Sequence, residues 1–212
     1  AIQRVADHVG VDKERLGRLR PREEKLPIDD SNPFFDFDPN RCVLCGICVR
    51  TCDELQNINA IDFAYRGLGT KIAGFGDKTR VESNCESCGE CIVRCPVGAL
   101  VEKGAQNPTH KVRTICAFCG CGCGFHLGVR DNKLVTATGD RMSPANKGRL
   151  CVKGRFGYKF VNHPDRLKSP LVKRNGEFVE VEWDEALDIV ADKFAKAKGK
   201  FATIASAKCT NE

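Results

Sequence analysis

Cys42-Val-Leu-Cys45-Gly-Ile-Cys48-Val-Arg-Thr-Cys52 and Cys85-Glu-Ser-Cys88-Gly-Glu-Cys91-Ile-Val-Arg-Cys95-Pro96 share one spacing, C-x2-C-x2-C-x3-C, and the second ends in Cys-Pro. Three cysteines at that interval wrap a short loop around one face of an iron-sulfur cubane, while the fourth leads away to a second cubane. The ligand sets therefore cross. On that rule one 4Fe-4S cluster takes Cys42, Cys45, Cys48 and Cys95, and another takes Cys85, Cys88, Cys91 and Cys52. A zinc ribbon needs two separated C-x2-C pairs and leaves two matching quartets unexplained.

The surrounding chain fits a globular oxidoreductase module better than the other classes its composition suggests. Its 212 residues predict two or three compact units. A hydrophobic fraction of 42% comes without any apolar run long enough to span a bilayer, so no membrane span is expected. No basic segment followed by an apolar stretch opens the chain, which predicts a cytoplasmic protein. The net charge of +6 does not point to nucleic acid, because Lys and Arg are dispersed and only two Tyr and one Trp are available for stacking. A four-thiolate cubane carries about −2 when oxidised, so three of them would roughly cancel the excess.

Between the quartets, 60–65 and 70–75 flank Arg66-Gly67-Leu68-Gly69 and predict a β-hairpin over the clusters. After them comes a third group: Cys116, Cys119, Cys121, Cys123 and, after a gap of 27 residues, Cys151. Cys116, Cys119, Cys123 and Cys151 form a four-ligand set with one remote member, which suits a third 4Fe-4S cluster and also, taken alone, zinc. Cys121 is then spare, and is expected as a packed thiol. The glycines of Cys119-Gly-Cys-Gly-Cys-Gly124 let the backbone turn tightly and aim N–H groups at sulfur.

The stretches 113–124, Gly148-Arg-Leu-Cys-Val-Lys-Gly-Arg-Phe156, Val161-Asn-His-Pro-Asp-Arg-Leu167, Glu182-Trp-Asp-Glu-Ala-Leu187 and Ser206-Ala-Lys-Cys-Thr-Asn-Glu212 resemble the opening of formate dehydrogenases of the bis-molybdopterin family. The resemblance implies an N-terminal region of a catalytic subunit that interconverts formate and carbon dioxide. Its cofactor would be a molybdenum or tungsten bis-molybdopterin guanine dinucleotide, mostly bound beyond this stretch. It also implies flavin or iron-sulfur partner subunits that reduce NAD(P) or ferredoxin. Lys153 takes the place of a lysine between the third cluster and the pterin, an electron relay; Lys208, Asn211 and Glu212 would approach the pterin nucleotide. Cys209 is read as a buried thiol, and His126 and His163 as structural. Two other readings are the large iron-sulfur subunit of an NADH-quinone oxidoreductase and a ferredoxin module associated with iron hydrogenase.

The expected fold class is α+β: a two-cluster ferredoxin-like domain, a small β-rich 4Fe-4S domain and the start of an α/β molybdopterin-binding domain. The expected limits are 1–35 for an N-terminal helix and linker, 36–106, 107–168 and 169–212. Within them, Ile2, Val5, Ala6 and Val9 share a helical face, and the charged, proline-punctuated run 18–33 suits a solvated linker. Residues 177–182 alternate as a strand. Asp184 is placed to N-cap a helix whose Leu187, Val190, Ala191 and Phe194 share one face, and 201–205 reads as a buried strand.

Overall fold

The computed structural model describes residues 2–18 and 25–206. The chain divides into two compact units, Ala1–Ala105 and Gln106–Glu212. Its architecture is α+β. No helix of the described residues is long and apolar enough to cross a membrane.

The first unit begins with two short helices, α1 (Ile2–His8) and α2 (Lys13–Arg18). The apolar face read on α1 is present in sequence but lies open, with Val5 and Val9 exposed. The cysteine-bearing part of the unit opens with β1 (Phe35–Phe37), whose Phe35 and Phe37 are both buried. Three residues alternate inward and outward because successive side chains of a strand face opposite sides. After the first quartet come α3 (Ile47–Arg50) and a wider helical turn, Thr51–Leu55, that carries Cys52. The expected hairpin follows as β2 (Asp62–Ala64) paired antiparallel with β3 (Lys71–Ala73). After the second quartet, β4 (Leu100–Glu102) pairs antiparallel with β1, Phe37 opposite Leu100.

The linker reading fails for residues 25–33. Asn40 exchanges hydrogen bonds with the backbone of Leu26, its Oδ1 accepting at 2.9 Å and its Nδ2 donating at 2.9 Å. Asp29 forms a two-way backbone bridge with Phe37 and accepts from Arg80 through its carboxylate. Asn32 is 1% exposed and donates to Ser87 Oγ at 2.8 Å. A polar segment is held in place here because its groups find buried partners far along the chain. Residues 19–24 of that run lie outside the described residues.

The second unit is built on a three-stranded meander: β5 (His110–Ile115), β6 (Gly124–Arg130) and β7 (Lys133–Gly139). Asp131 and Asn132, both with positive φ, make the two-residue turn between β6 and β7. Phe125, Ala137, Leu150 and Tyr158 pack with Cys116 in one core cluster. Then come α4 (Val152–Phe156), the hairpin β8 (Leu171–Arg174) with β9 (Glu177–Glu180), and α5 (Trp183–Ala197). The β8–β9 turn, Asn175-Gly176, has positive φ at both residues, the pattern that the sequence reading passed over. α5 starts earlier than expected: Glu182 occupies the N-cap position without a side-chain cap, and Asp184 sits in the first turn. Leu187, Val190 and Phe194 share its open face. The buried strand expected at 201–205 is absent; Phe201 and Ile204 are exposed, and no described strand pairs with them to form a ladder.

One close approach organises this unit. A Cβ built on Gly139 would lie 2.0 Å from the Gly148 carbonyl oxygen, and Gly148 itself has φ +83. Only glycine lets the end of β7 pass so near the segment that leads into Cys151. Gly139→Ala is expected to destabilise the second unit by about 1–3 kcal/mol or more through forced backbone displacement. Thermal and denaturant unfolding would measure the loss. Gly176→Ala, which meets no neighbour but strains a positive φ, is expected to cost less.

Candidate iron-sulfur sites

The first unit contains two small cavities, and each is ringed by four cysteines drawn from both quartets. Cys42, Cys45, Cys48 and Cys95 line one, together with Phe37, Ile72 and Leu100. Cys52, Cys85, Cys88 and Cys91 line the other, with Phe35, Ala60, Ile61 and Arg80. The fourth cysteine of each run has crossed to the cavity of the other. The hairpin strand β3 supplies Ile72 to the first wall, and the lead-in to β2 supplies Ala60 and Ile61 to the second.

The two loops repeat each other in backbone conformation as well as in spacing. Leu44 (φ 57) and Ser87 (φ 54) occupy equivalent positions and turn left-handed, as do Gly46 (φ 70) and Gly89 (φ 72). A left-handed leucine costs roughly 1–2 kcal/mol. What it gains is an inward N–H: Leu44 donates to Cys42 Sγ and Ser87 to Cys85 Sγ, each at 3.4 Å. Ala60 N–H does the same for Cys52 Sγ at 3.3 Å. A side chain at Gly46 would meet the Phe63 ring at 2.9 Å, so hairpin packing as well as φ requires glycine there.

Electrostatics separates these thiols. Burial pushes Cys48 and Cys85 up, and Cys91, enclosed most deeply, is pushed up to about 12. Cys95 goes the other way: burial raises it, but the backbone N–H groups of Val97, Leu100, Ala99 and Gly98 together outweigh that and hold it below the ordinary thiol value. Buried thiols of this kind ionise when a metal balances the charge, which couples binding to proton release. Among the described residues no group of three or more His, Cys, Asp or Glu side chains converges closely enough to hold a single ion. The sulfurs of the first unit ring cavities instead, and the donor set, spacing and inward N–H groups fit cubanes.

In the second unit Cys116 is buried, Cys123 half-buried, and Cys119, Cys121 and Cys151 exposed. Burial raises Cys116 and pushes Cys123 up to about 12, with neighbouring cysteine sulfurs adding to both shifts. Cys121 is not the packed thiol expected; it is exposed, and its sulfur lies 3.5 Å from that of Cys123. Gly122, between the two cysteines, turns left-handed at φ 69, a conformation that glycine takes without strain. Cys151 is brought to the loop by Asn146. Its Oδ1 accepts from Gly124 N–H at 2.9 Å, while its Nδ2 donates to the carbonyls of Gly124 and Arg149 at 3.1 and 2.7 Å. One amide thus ties the residue after Cys123 to a residue just before Cys151. Asp140 anchors the same turn, accepting from Arg113 Nε at 2.6 Å and Met142 N–H at 2.9 Å, and the Arg113 contact holds its carboxyl below the usual range.

Lys153 lies exposed in the first turn of α4, two residues beyond Cys151. Lys208, Cys209, Asn211 and Glu212 lie outside the described residues. Asn146 and Arg80 escaped the sequence reading: one sits in a loop of ordinary turn composition, the other in the charged insert between the quartets. No local pattern marks either, since the decisive partner of each is remote in sequence, 22 residues for Asn146 with Gly124 and 51 for Arg80 with Asp29.

Three family models match the chain: a 4Fe-4S dicluster domain over 33–99, the molybdopterin oxidoreductase Fe4S4 domain over 109–163, and molybdopterin oxidoreductase over 166–212. Two curated Staphylococcus aureus proteins, provisionally named formate dehydrogenases, are each 33% identical over 90% of this chain and 24% of their own length. The chain thus spans about a quarter of those relatives. A solved NAD+-reducing [NiFe]-hydrogenase in its H2-reduced state is 29% identical over 51% of this chain and 45% of its own, with a TM-score of 0.38, too loose a likeness to carry an argument. Segment by segment, the chain is thus similar to iron-sulfur dicluster and molybdopterin oxidoreductase domains.

Proposed function

We propose that this chain is the electron-transfer region of a formate dehydrogenase catalytic subunit. The whole protein would interconvert formate and carbon dioxide at a molybdenum or tungsten bis-molybdopterin guanine dinucleotide and pass electrons to a flavin or iron-sulfur partner that reduces NAD(P) or ferredoxin. Cys42, Cys45, Cys48 and Cys95 hold one 4Fe-4S cluster, Cys52, Cys85, Cys88 and Cys91 a second, and Cys116, Cys119, Cys123 and Cys151 a third. When bound, such clusters supply one-electron storage sites whose potentials depend on hydrogen bonds and exposure. The observation that carries the reading is the exchange of Cys52 and Cys95 between the two cavities, which suits paired cubanes and has no use in a zinc ribbon.

The chain's own residues would do the rest. Leu44, Ser87 and Ala60 direct N–H groups at sulfur, which favours the more negative reduced state. Asn146 fixes the distance between the Cys119–Cys123 loop and Cys151. Lys153 would relay electrons between the third cluster and the pterin, its cation lowering the cost of charge moving between two anionic groups. Lys208, Asn211 and Glu212 would meet the pterin nucleotide. The domain limits 36–106, 107–168 and 169–212 belong to the same proposal. The relatives' provisional name supports formate as substrate.

Three measurements test this. Iron and acid-labile sulfide in the full protein are expected at about twelve each over these three sites; about eight, with one zinc, would make the third site a zinc centre and sink that part of the reading. Cys52→Ser is expected to cost about four irons. Adding Cys85→Ser should then remove nothing more, whereas adding Cys42→Ser should remove a second cluster; the reverse outcome would mean that the ligands do not cross. Lys153→Ala is expected to keep every cluster but slow formate-driven cluster reduction by about 10- to 100-fold. Unchanged single-turnover rates would remove the relay, and clusters that formate never reduces in the unaltered protein would remove formate dehydrogenase itself.

A further inference from the structure

Arg80 is a buried cation of the first unit whose guanidinium is only partly paired. It is 4% exposed and lies on the wall of the cavity ringed by Cys52, Cys85, Cys88 and Cys91. Its guanidinium stacks on Phe37 with Cζ 4.0 Å from the ring centroid, and Phe37 in turn lines the other cavity. Nη1 donates to Asp29 Oδ2 at 3.3 Å. Nε and Nη2 are buried and have no hydrogen-bond partner among the described residues. Buried donors on a cation are costly to leave unmatched, and anchoring Asp29 requires only Nη1. A purely structural arginine would waste the other edge of its fork.

The position suits a charge that serves both sites. The guanidinium lines the cavity of Cys52, Cys85, Cys88 and Cys91, and the ring it stacks on lines the cavity of Cys42, Cys45, Cys48 and Cys95, so the charge adjoins both. Glu90, the fully buried carboxylate on the same wall, is paired with Arg94, while Asp29 is partly open to solvent, so the cation's field is the less compensated.

We infer that Arg80 is a shared tuning cation: its unused donors serve the sulfurs of the cluster on Cys52, Cys85, Cys88 and Cys91, and its charge stabilises the reduced state of the first unit's clusters. The inference rests on the cluster reading above. Each reduction adds one electron from the donor and makes or breaks no bond, so a fixed neighbouring cation favours it by charge alone. Arg80 is a positioning and tuning residue with no role as a ligand.

The test is a redox titration of the full cluster-loaded protein followed by electron paramagnetic resonance, with iron and sulfide measured on every variant. Arg80→Met, which keeps length and loses charge, is expected to retain its iron and shift at least one midpoint negative by about a tenfold change in the reduction equilibrium, 59 mV for one electron. Arg80→Lys should stay nearer the native value, and Asp29→Asn should move the midpoint the opposite way. Unchanged midpoints in Arg80→Met, shifts of the same sign in Arg80→Met and Asp29→Asn, or equal iron loss from Arg80→Met and Arg80→Lys would overturn the assignment in favour of a packing role. An unaltered protein without labile sulfide would instead fail the cluster reading itself, and this inference with it.

Discussion

Four sulfurs brought round one small space repel one another as soon as they ionise, and the first unit is arranged around that difficulty. Thiols buried among apolar walls resist ionisation, as the raised Cys91 illustrates. The relief comes from the main chain: inward N–H groups at Leu44, Ser87 and Ala60, and the fan of amides over Cys95. Much of the local conformation follows. Left-handed Leu44 and Ser87 are the cost of aiming amides inward, and the short strands leave the loops free to take those shapes. The hairpin contributes apolar cover, which limits water and so sharpens every charge inside.

The same constraint explains which parts of the molecule were legible in sequence. Ligand chemistry fixes cysteine intervals locally, so spacing alone marks the two quartets, whose cysteines line the two cavities. The hairpin was legible because Gly67 and Gly69 interrupt two apolar runs. Long-range polar matching was not. Asp29 and Asn32 look like linker residues until Arg80 and Ser87 arrive from more than fifty residues away. Cys121 was misread for a related reason, since nothing in a Gly-Cys-Gly run tells whether the loop turns its side chain inward or out.

The second unit solves a different problem, that of a ligand remote in sequence. Two devices bring Cys151 back: the Gly139–Gly148 backbone crossing and the three hydrogen bonds of Asn146. Neither involves the sulfurs directly, so both shape the site before any metal arrives. Beyond it, secondary structure was easier to read than burial. α5 and β9 form close to where periodicity placed them, but the apolar face of α5 stays largely exposed, with Phe201 meeting only its end at Phe194. Periodicity reports which face is apolar; it cannot report what lies against that face.

The pairing of β1 with β4 has one further meaning. Phe35–Phe37 opens the cysteine-bearing fold and Leu100–Glu102 closes it, and the two run side by side in opposite directions. The Phe34 carbonyl accepts from Lys103 N–H at 2.9 Å, so the polypeptide leaves the fold within a hydrogen bond of where it entered. The pairing is therefore a clasp: both cysteine loops hang from one short ladder whose strands lie far apart in sequence, so their geometry is fixed only once that ladder has closed.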